Sequence, residues 1–360
     1  MSPVDLSTVI RSHRRWRWLA AGVLFLIVVA FGPTLVSRLV GNIGLVILNR
    51  SLAQHGVVLS DVRSDPNLAQ AEQWLRLATG VDARNQGAWR GMGFTLATQG
   101  RESEALAAWT TIGVAALEFV ERGNVARVAR RYDEALAWYT RATQLQPDVG
   151  DAWYYTGLIH QAKSQWDKAR DAFEQSLAAS ALDTVGRSSA YYRLGAILFQ
   201  WTNPLDIDGA LAAFSTAVAL NQFDTHIEKS DAHYKIGAIY ELQGLDPRQQ
   251  VVEFQTAVDL NPSHAWAHLR LGYVQYILTR DVALAEREIE QAIELWPSDS
   301  NRKWPYRYLG DIYRQAGQLD KAIDAYRQAL QYDANDRHVT EWLGSLLSQP
   351  DHPTSPSDSK

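Results

Sequence analysis

The sequence of 360 residues contains no cysteine. This absence excludes disulfide bonds, thiolate metal sites and a lipid-modified cysteine. The sequence also lacks the glycine-rich loops that bind phosphates and the G-x-S-x-G motif of hydrolases. We therefore predict that the chain has no catalytic residue and no cofactor, and that it is not an enzyme.

Two histidines are spaced as in one kind of metal-binding motif. His264 and His268, in "HAWAH", would share one face of a helix, but the first is not followed by the glutamate of H-E-x-x-H. No third ligand is evident nearby in the sequence. We interpret the pair as a helix-start histidine and a packing histidine, and we predict no metal site.

The chain also lacks an excess of basic charge. It has 35 Lys and Arg against 40 Asp and Glu, and residues 1–59 hold six of the arginines but a single acidic residue, Asp5. The remainder of the chain is therefore distinctly acidic. Because a basic face is the signature of nucleic-acid binding, we predict no nucleic-acid partner.

The sequence does contain a pattern of small and large residues that returns about every 34 positions. In the segment that begins at Lys303, Gly310 is at position 8, Ala322 at position 20 and Tyr326 at position 24. Glycines at position 8 of the other segments are Gly93, Gly123, Gly157, Gly195, Gly237 and Gly272. Glycine and alanine at these places let two helix backbones approach closely, and the large residues fill the space between neighbouring segments.

This pattern resembles the tetratricopeptide repeat (TPR), a 34-residue helix–turn–helix unit. The resemblance covers residues 65–348 and implies an all-α fold, a right-handed α-solenoid of about seven units in which each unit stacks on the next. The implied units are residues 86–115, 116–149, 150–183, 188–224, 230–263, 265–299 and 303–336, followed by a capping helix at 337–348.

Some segments depart from the repeat. Ala71, Leu75 and Ala78 resemble only the second helix of a partial N-terminal unit. Arg122 stands at position 7, where the pattern has leucine. Residues 349–360 are polar and rich in proline, which predicts a disordered tail.

The N-terminal part contains an apolar run of membrane-spanning length. Twenty residues without charge lie between Arg17 and Arg38, and about 20 apolar residues cross a bilayer. We predict a transmembrane anchor at 18–37, followed by a membrane-proximal linker or amphipathic segment at 38–64. A cleavable signal peptide is the alternative, and a twin-arginine signal is a weaker one. Residues 39–49 either extend the span or lie in the interface.

The flanking charges predict the orientation of the anchor. Four arginines lie within residues 11–17, whereas only Arg38 and Arg50 follow the span within about twenty residues. Positive charge stays on the cytoplasmic side of a membrane. We therefore expect a single-pass membrane protein with residues 1–17 in the cytoplasm and the repeats outside it.

The resemblance also implies a partner-binding surface. In the TPR family, side chains at positions 2, 5, 9 and 12 of each first helix line a concave groove, and here these positions are rich in Tyr, Trp and Arg, the residues enriched at binding hot spots. The candidate residues are Arg90, Asn124, Arg127, Tyr154, Tyr192, Phe199, Tyr234, Trp266, Tyr273, Tyr276, Trp304 and Arg307. Three of them, Tyr154, Tyr192 and Tyr234, would form an aromatic row. In the alternative interpretation, these side chains pack against an inserted loop or fill a tight superhelix.

Together these features predict a function in binding rather than in catalysis. We expect a membrane-anchored TPR scaffold or adaptor that holds a protein or peptide in its groove. The alternative is an accessory subunit of an envelope glycan-synthesis, secretion or complex-assembly machine.

Overall fold

A computed structural model describes residues 32–51, 65–182, 186–202, 204–296 and 300–348 of the chain. The predicted cytoplasmic segment 1–17, most of the predicted membrane span and the predicted tail 349–360 lie outside the described residues. The chain divides into two compact bodies, an N-terminal body, Met1–Val149, and a C-terminal body, Gly150–Lys360. Each is built from α-helices joined by short turns, which confirms the predicted all-α fold.

The N-terminal body contains three pairs of helices. Its helices are α1 (32–51), α2 (Pro66–Val81), α3 (Gln86–Thr98), α4 (Glu102–Thr111), α5 (Ala115–Val128) and α6 (Tyr132–Leu145). Polar side chains fix several helix starts. Asp65, directly before Pro66, accepts a hydrogen bond from the backbone N–H of Asn67, and Asn85 caps α3. Such caps satisfy backbone N–H groups that have no partner in the first turn.

The C-terminal body contains five further pairs and a final helix. Its helices are α7 (Gly150–Ala162), α8 (Trp166–Ala178), α9 (Arg187–Gln200), α10 (Ile207–Leu220), α11 (His226–Leu242), α12 (Pro247–Leu260), α13 (Ala265–Thr279), α14 (Val282–Leu295), α15 (Lys303–Gln315), α16 (Leu319–Tyr332) and α17 (Arg337–Leu347), with a 3-10 turn, Ser300–Arg302, before α15. Val339 and Leu346 of α17 are buried against the last pair.

The glycine at position 8 sets the spacing within each pair. A Cβ atom built on Gly157 would lie 2.7 Å from Cε1 of Phe173, and one built on Gly237 would lie at the same distance from Cε1 of Phe254. Both rings are fully buried. Because glycine has no side chain, an aromatic ring of the second helix lies directly on the backbone of the first, and any other residue would force the two helices apart.

Helix α1 is the missing first helix of the partial N-terminal repeat. A Cβ atom on Gly44 would lie 2.8 Å from Cγ of Leu75, so this pair of residues repeats the glycine–large residue contact of the other pairs. Val40 is buried, and the hydroxyl of Ser37 donates to the carbonyl of Ala78 at 2.8 Å. Because residues 52–64 lie between α1 and α2 in the sequence, this pair of helices does not follow the 34-residue spacing of the other repeats.

The described part of the predicted anchor belongs to this helix. Residue 37, where the predicted membrane span ends and the predicted linker begins, lies inside α1 rather than at a boundary, because α1 continues without interruption from 32 to 51. Among the described helices, none has the length and apolar character needed to cross a bilayer. Residues 18–31 lie outside the described part, so the predicted span itself stays a prediction.

One face of α1 does not pack on its neighbours. Leu35, Leu39, Ile43 and Val46 are all exposed, and their spacing places them on a single stripe of the helix. The opposite side carries the buried contacts with α2. Helix α1 therefore has apolar side chains both on the face that packs against α2 and on this exposed stripe.

Candidate functional site

In the N-terminal body, the predicted site residue Asn124 supports the fold. Its Oδ1 accepts a hydrogen bond of 2.8 Å from the hydroxyl of Tyr139, the residue at position 24 of the same repeat. In the C-terminal body, Asp311 accepts from Tyr326 in the same way at 2.7 Å. Where position 24 is phenylalanine, as at Phe173, position 9 is apolar. The residue type at position 9 therefore depends on whether position 24 carries a hydroxyl group, since a buried hydroxyl needs a hydrogen-bond partner.

The other candidates in this body are Arg90 and Arg127. Arg90 forms an ion pair through Nε with the carboxylate of Glu118 in the following repeat, and Glu118 is fully buried. Burial raises the pKa of Glu118, although the neighbouring guanidinium acts in the opposite direction. Arg127 is half-buried. Arg90 therefore links two repeats and offsets a buried charge.

In the C-terminal body, the predicted aromatic row contacts the following repeats of the same chain. The hydroxyl of Tyr154 donates to Oδ2 of Asp224 at 3.2 Å, and that of Tyr192 donates to Oδ2 of Asp231 at 2.9 Å. The ring of Tyr234 lies 4.9 Å from that of His264. Each tyrosine thus bridges from its own repeat toward the next.

The environment of the row perturbs its hydroxyl groups. Burial, reinforced by the nearby carboxylates of Asp224 and Asp231, raises the pKa values of Tyr154 and Tyr192. Burial raises the pKa of Tyr234 to about 12. All three hydroxyl groups therefore stay protonated at any physiological pH, and those of Tyr154 and Tyr192 donate hydrogen bonds.

Two of the predicted contact residues are not accessible. Tyr154 and Tyr276 are each only 2% exposed. Tyr154 packs with Phe173 at 5.6 Å between ring centroids, and Tyr276 lies in the core around α14 to α16. The assignment of both to a partner surface is corrected, because the first helices pack so closely that positions 5 and 12 are covered by the adjoining helices at these two places.

Two arginines that the sequence analysis did not select lie beside the row. Arg193 pairs with Glu228, which also accepts 2.7 Å from the hydroxyl of Ser189, and Arg270 donates to Glu241 at 2.8 Å. Both arginines occupy position 6, in the identical string R-L-G that ends at the position-8 glycine. This repeated tripeptide is the signal that could have identified them.

The remaining candidates are half-buried and aromatic or cationic. Lys235 Nζ lies 5.8 Å from the ring of Phe199 and 5.4 Å from that of Tyr234. Such cation–π contacts stabilise exposed sites by roughly 0.5–1 kcal/mol. Phe199 and Tyr234 therefore already have a cationic neighbour within the chain.

A patch of partly accessible side chains spans the first helices α13 and α15. We define the α13/α15 patch as Trp266, Tyr273, Trp304 and Arg307, all half-buried. The rings of Trp266 and Trp304 are 6.3 Å apart, and Arg307 Cζ lies 5.5 Å from the ring of Trp304. The guanidinium of Arg307 is also 3.7 Å from a carboxylate oxygen of Asp336. The structure thus brings Trp266, Trp304 and Arg307 into contact with one another, and Tyr273 follows Trp266 on the same helix.

The two histidines have the structural roles predicted for them. His264 is the N-cap of α13, where its Nδ1 accepts from the backbone N–H of Ala267 at 3.2 Å. His268 is buried, with Nδ1 2.9 Å from Glu288 and Nε2 3.0 Å from the carbonyl oxygen of Pro262. In the described part of the chain, no cluster of three or more His, Asp or Glu is arranged to hold a metal ion.

The contacts of His268 predict a pH-dependent stability. Both ring nitrogens face acceptors, so the doubly protonated ring satisfies them best, and the hydrogen bond to Glu288 raises the pKa of His268 against the opposing effect of burial. A raised pKa in the folded state gives a stabilisation that is complete below the unfolded pKa of about 6.5 and is lost as the pH rises through the folded value. The melting temperature should fall over that range, and His268→Gln should reduce the fall. An unchanged pH profile in this variant would contradict the assignment.

Comparison with known proteins identifies the repeats. Family models described as tetratricopeptide repeat match residues 120–184 and residues 262–334. Among curated proteins, the chain is 26% identical to the "Protein CTR9 homolog" of Arabidopsis thaliana over 78% of this chain and 29% of that protein. It is 21% identical to human "Mitochondrial import receptor subunit TOM70" over 53% of this chain and 30% of that protein. The chain therefore spans less than a third of the length of these relatives.

Solved structures also align with parts of this chain. PilF of Pseudomonas aeruginosa aligns with a TM-score of 0.49 and 13% identity, over 64% of this chain and 97% of that chain. YrrB, described as a TPR protein with an unusual peptide-binding site, aligns with a TM-score of 0.41 and 23% identity, over 51% and 87%. Within residues 120–184 and 262–334, the two family matches, together with the paired helices and their position-8 glycines, show tetratricopeptide repeats.

Proposed function

We propose that the protein is a scaffold that binds a protein or peptide partner through the α13/α15 patch. The observation that carries the proposal is the partial exposure of Trp266 and Trp304 on consecutive first helices, beside Arg307. Trp, Tyr and Arg dominate binding hot spots because they combine large contact areas with polar groups. Among the other predicted residues, Arg90, Asn124, Tyr154 and Tyr192 use their polar atoms within the chain, which makes this patch the better candidate.

The patch should contribute most of the affinity for such a partner. Trp304→Ala is expected to weaken capture of the partner from detergent-solubilised membranes by about 30-fold, because truncation of a hot-spot residue costs roughly 2 kcal/mol. Trp201→Ala is the matched control, since Trp201 is 51% exposed in the same body but follows the end of first helix α9. Circular dichroism should show that both variants retain their helices.

Equal capture by the Trp304 and Trp201 variants would remove the patch as the binding site. The identity of the captured partner also separates a general adaptor from an accessory subunit of an envelope machine. An enzyme of glycan synthesis or a secretion component among the partners would favour the second role.

We further propose that the scaffold is attached to a membrane by the apolar run 18–37, whose last six residues form the start of α1. Support comes from the uncharged stretch between Arg17 and Arg38 and from the exposed apolar stripe of α1 that continues it. Four arginines at residues 11–17 favour a cytoplasmic N-terminus and extracytoplasmic repeats.

This topology can be measured with a reporter that is active only outside the cytoplasm. Fused after Lys360, the reporter should be active, and removal of residues 1–31 should abolish its activity and release the fusion from membranes while α1 stays in place. Activity of a cytoplasm-specific reporter at the same position would reverse the orientation. Persistent membrane association of the shortened chain would place the attachment elsewhere.

A further inference from the structure

A cleft in the N-terminal body lies between the second helices α4 and α6. Its volume is about 450 Å³, which is within the range of about 300–1,000 Å³ typical of ligand sites. The aromatic and charged residues that line it are Glu102, Trp109, Phe119, Arg122, Trp138 and Arg141. Phe119 and Arg122 come from the first helix α5, but they occupy positions 4 and 7, so this site is separate from the positions 2, 5, 9 and 12 considered above.

Three aromatic rings form the walls of the cleft. Trp109 and Phe119 meet edge to face at 6.0 Å between centroids, and Phe119 stacks on Trp138 at 5.7 Å. The guanidinium carbon of Arg122 lies 5.2 Å from the ring of Trp109 and 5.0 Å from that of Trp138. The rings therefore orient a cation in the cleft and offer apolar surface beside it.

Arg122 forms no ion pair among the described residues, although the carboxylates of Glu102 and Glu118 lie close enough to act on its charge. No carboxylate lies within ion-pair distance of it, and its buried Nε has no hydrogen-bond partner. By contrast, Arg141 on the same cleft donates to Glu102 at 3.1 Å. Contacts with ring faces leave the N–H groups at the edge of the guanidinium available, since these groups lie in its plane.

The position of Arg122 in the repeat makes this arrangement unusual. It occupies position 7, where other repeats of the chain have Leu194, Leu271 and Leu309. Burial lowers the pKa of its guanidinium, although the nearby carboxylates of Glu102 and Glu118 act in the opposite direction. A leucine would avoid the cost of burying a charge, so the arginine is better explained by a bound anion than by packing.

We propose that this cleft binds a peptide segment in which a carboxylate adjoins an aromatic side chain. The carboxylate pairs with the edge of the Arg122 guanidinium, and the aromatic side chain lies against Trp138, since Trp109 is fully buried. Two arginines and one glutamate line the cleft, so its charge favours an acidic ligand. This site is independent of the α13/α15 patch, and either could exist without the other.

The test uses the full chain labelled with 5-fluorotryptophan and observed by fluorine NMR. The probes are acetyl-Asp-Phe-amide and its neutral analogue acetyl-Asn-Phe-amide, with acetyl-phenylalanine as a second acid that bears a terminal carboxylate. Signals assigned with Trp109→Phe and Trp138→Phe should shift with the Asp probe. The Asn probe should bind roughly tenfold more weakly or worse, because hydrogen bonds to charged groups are the stronger ones. The terminal acid shows which source of carboxylate is preferred.

Arg122→Leu is the decisive variant because it restores the residue of the other repeats. We expect it to melt at a higher temperature than the original chain and to lose the difference between the Asp and Asn probes. Arg84→Leu, in an exposed turn of the same body, should keep that difference. If Arg122→Leu lowers stability enough to prevent the measurement, Arg122→Gln serves in its place.

Two results would overturn the proposal. Equal shifts with the Asp and Asn probes would mean that the cleft does not select a carboxylate. Full discrimination by Arg122→Leu would mean that the arginine only packs between the rings.

Discussion

Replacing Tyr154 by alanine is expected to lower the free energy of unfolding by roughly 3–5 kcal/mol, the usual cost of removing a large aromatic ring from a core. The side chain is 2% exposed and packs against Phe173 and Tyr155, with ring centroids 5.6 and 5.5 Å away. Its removal leaves a cavity between α7 and α9 that rigid neighbouring helices cannot fill. Urea unfolding followed by circular dichroism measures the loss.

Tyr154→Phe is the matched control for this prediction. It keeps the ring and removes only the hydroxyl that donates to Asp224, so the expected loss is about 1 kcal/mol. If Tyr154→Ala instead keeps its stability within 1 kcal/mol and loses partner capture, the residue is a binding residue, as the sequence predicted, and its burial is not what determines its role.

The second large effect is expected at Gly157. In Gly157→Leu, the first added carbon would already lie 2.7 Å from the ring of Phe173, and the rest of the side chain has no free space. Overpacking of this kind costs roughly 1–3 kcal/mol, and we expect the upper end because Phe173 is fully buried and cannot rotate away. Hydrogen exchange should accelerate first in α7 to α9 and later in α15 to α17.

Gly344→Leu provides the same substitution at an open position of the same body. A Cβ atom on Gly344 meets nothing within 4 Å, and the residue lies within helix α17. Leucine favours a helix over glycine by about 0.5–1 kcal/mol, so this variant should be slightly more stable than the original chain. Equal destabilisation by the two substitutions would contradict the register of the repeats.

The sequence predicted correctly those residues whose contacts lie within a single repeat. Gly157 and Phe173, or Gly310 and Tyr326, belong to two helices joined by a short turn, so their spacing along the chain already implies their contact. Helix α1 escaped prediction because its contact between Gly44 and Leu75 crosses residues 52–64, which fall outside any 34-residue register.

Contacts between repeats could not be predicted in the same way. Whether Tyr154 is covered and Trp304 is accessible depends on the rotation and distance between consecutive first helices. The sequence assigned both residues to one surface because both occupy repeat positions that line the groove in the TPR family. The fold instead buries Tyr154 and leaves Trp304 half-exposed. Arg193 and Arg270 were overlooked for the same reason, since their acidic partners lie in neighbouring repeats, Glu228 in the following one and Glu241 in the preceding one.

The sequence alone therefore determined the all-α repeat, its register and the lack of known catalytic motifs, because helix pairing depends on small and large residues at short, regular spacing. Only the tertiary structure decided which side chains are accessible, which polar groups pair between repeats and that Arg122 lies between two tryptophans in a cleft without forming an ion pair. Those properties arise from how one repeat packs on the next, and no spacing along the chain specifies that geometry.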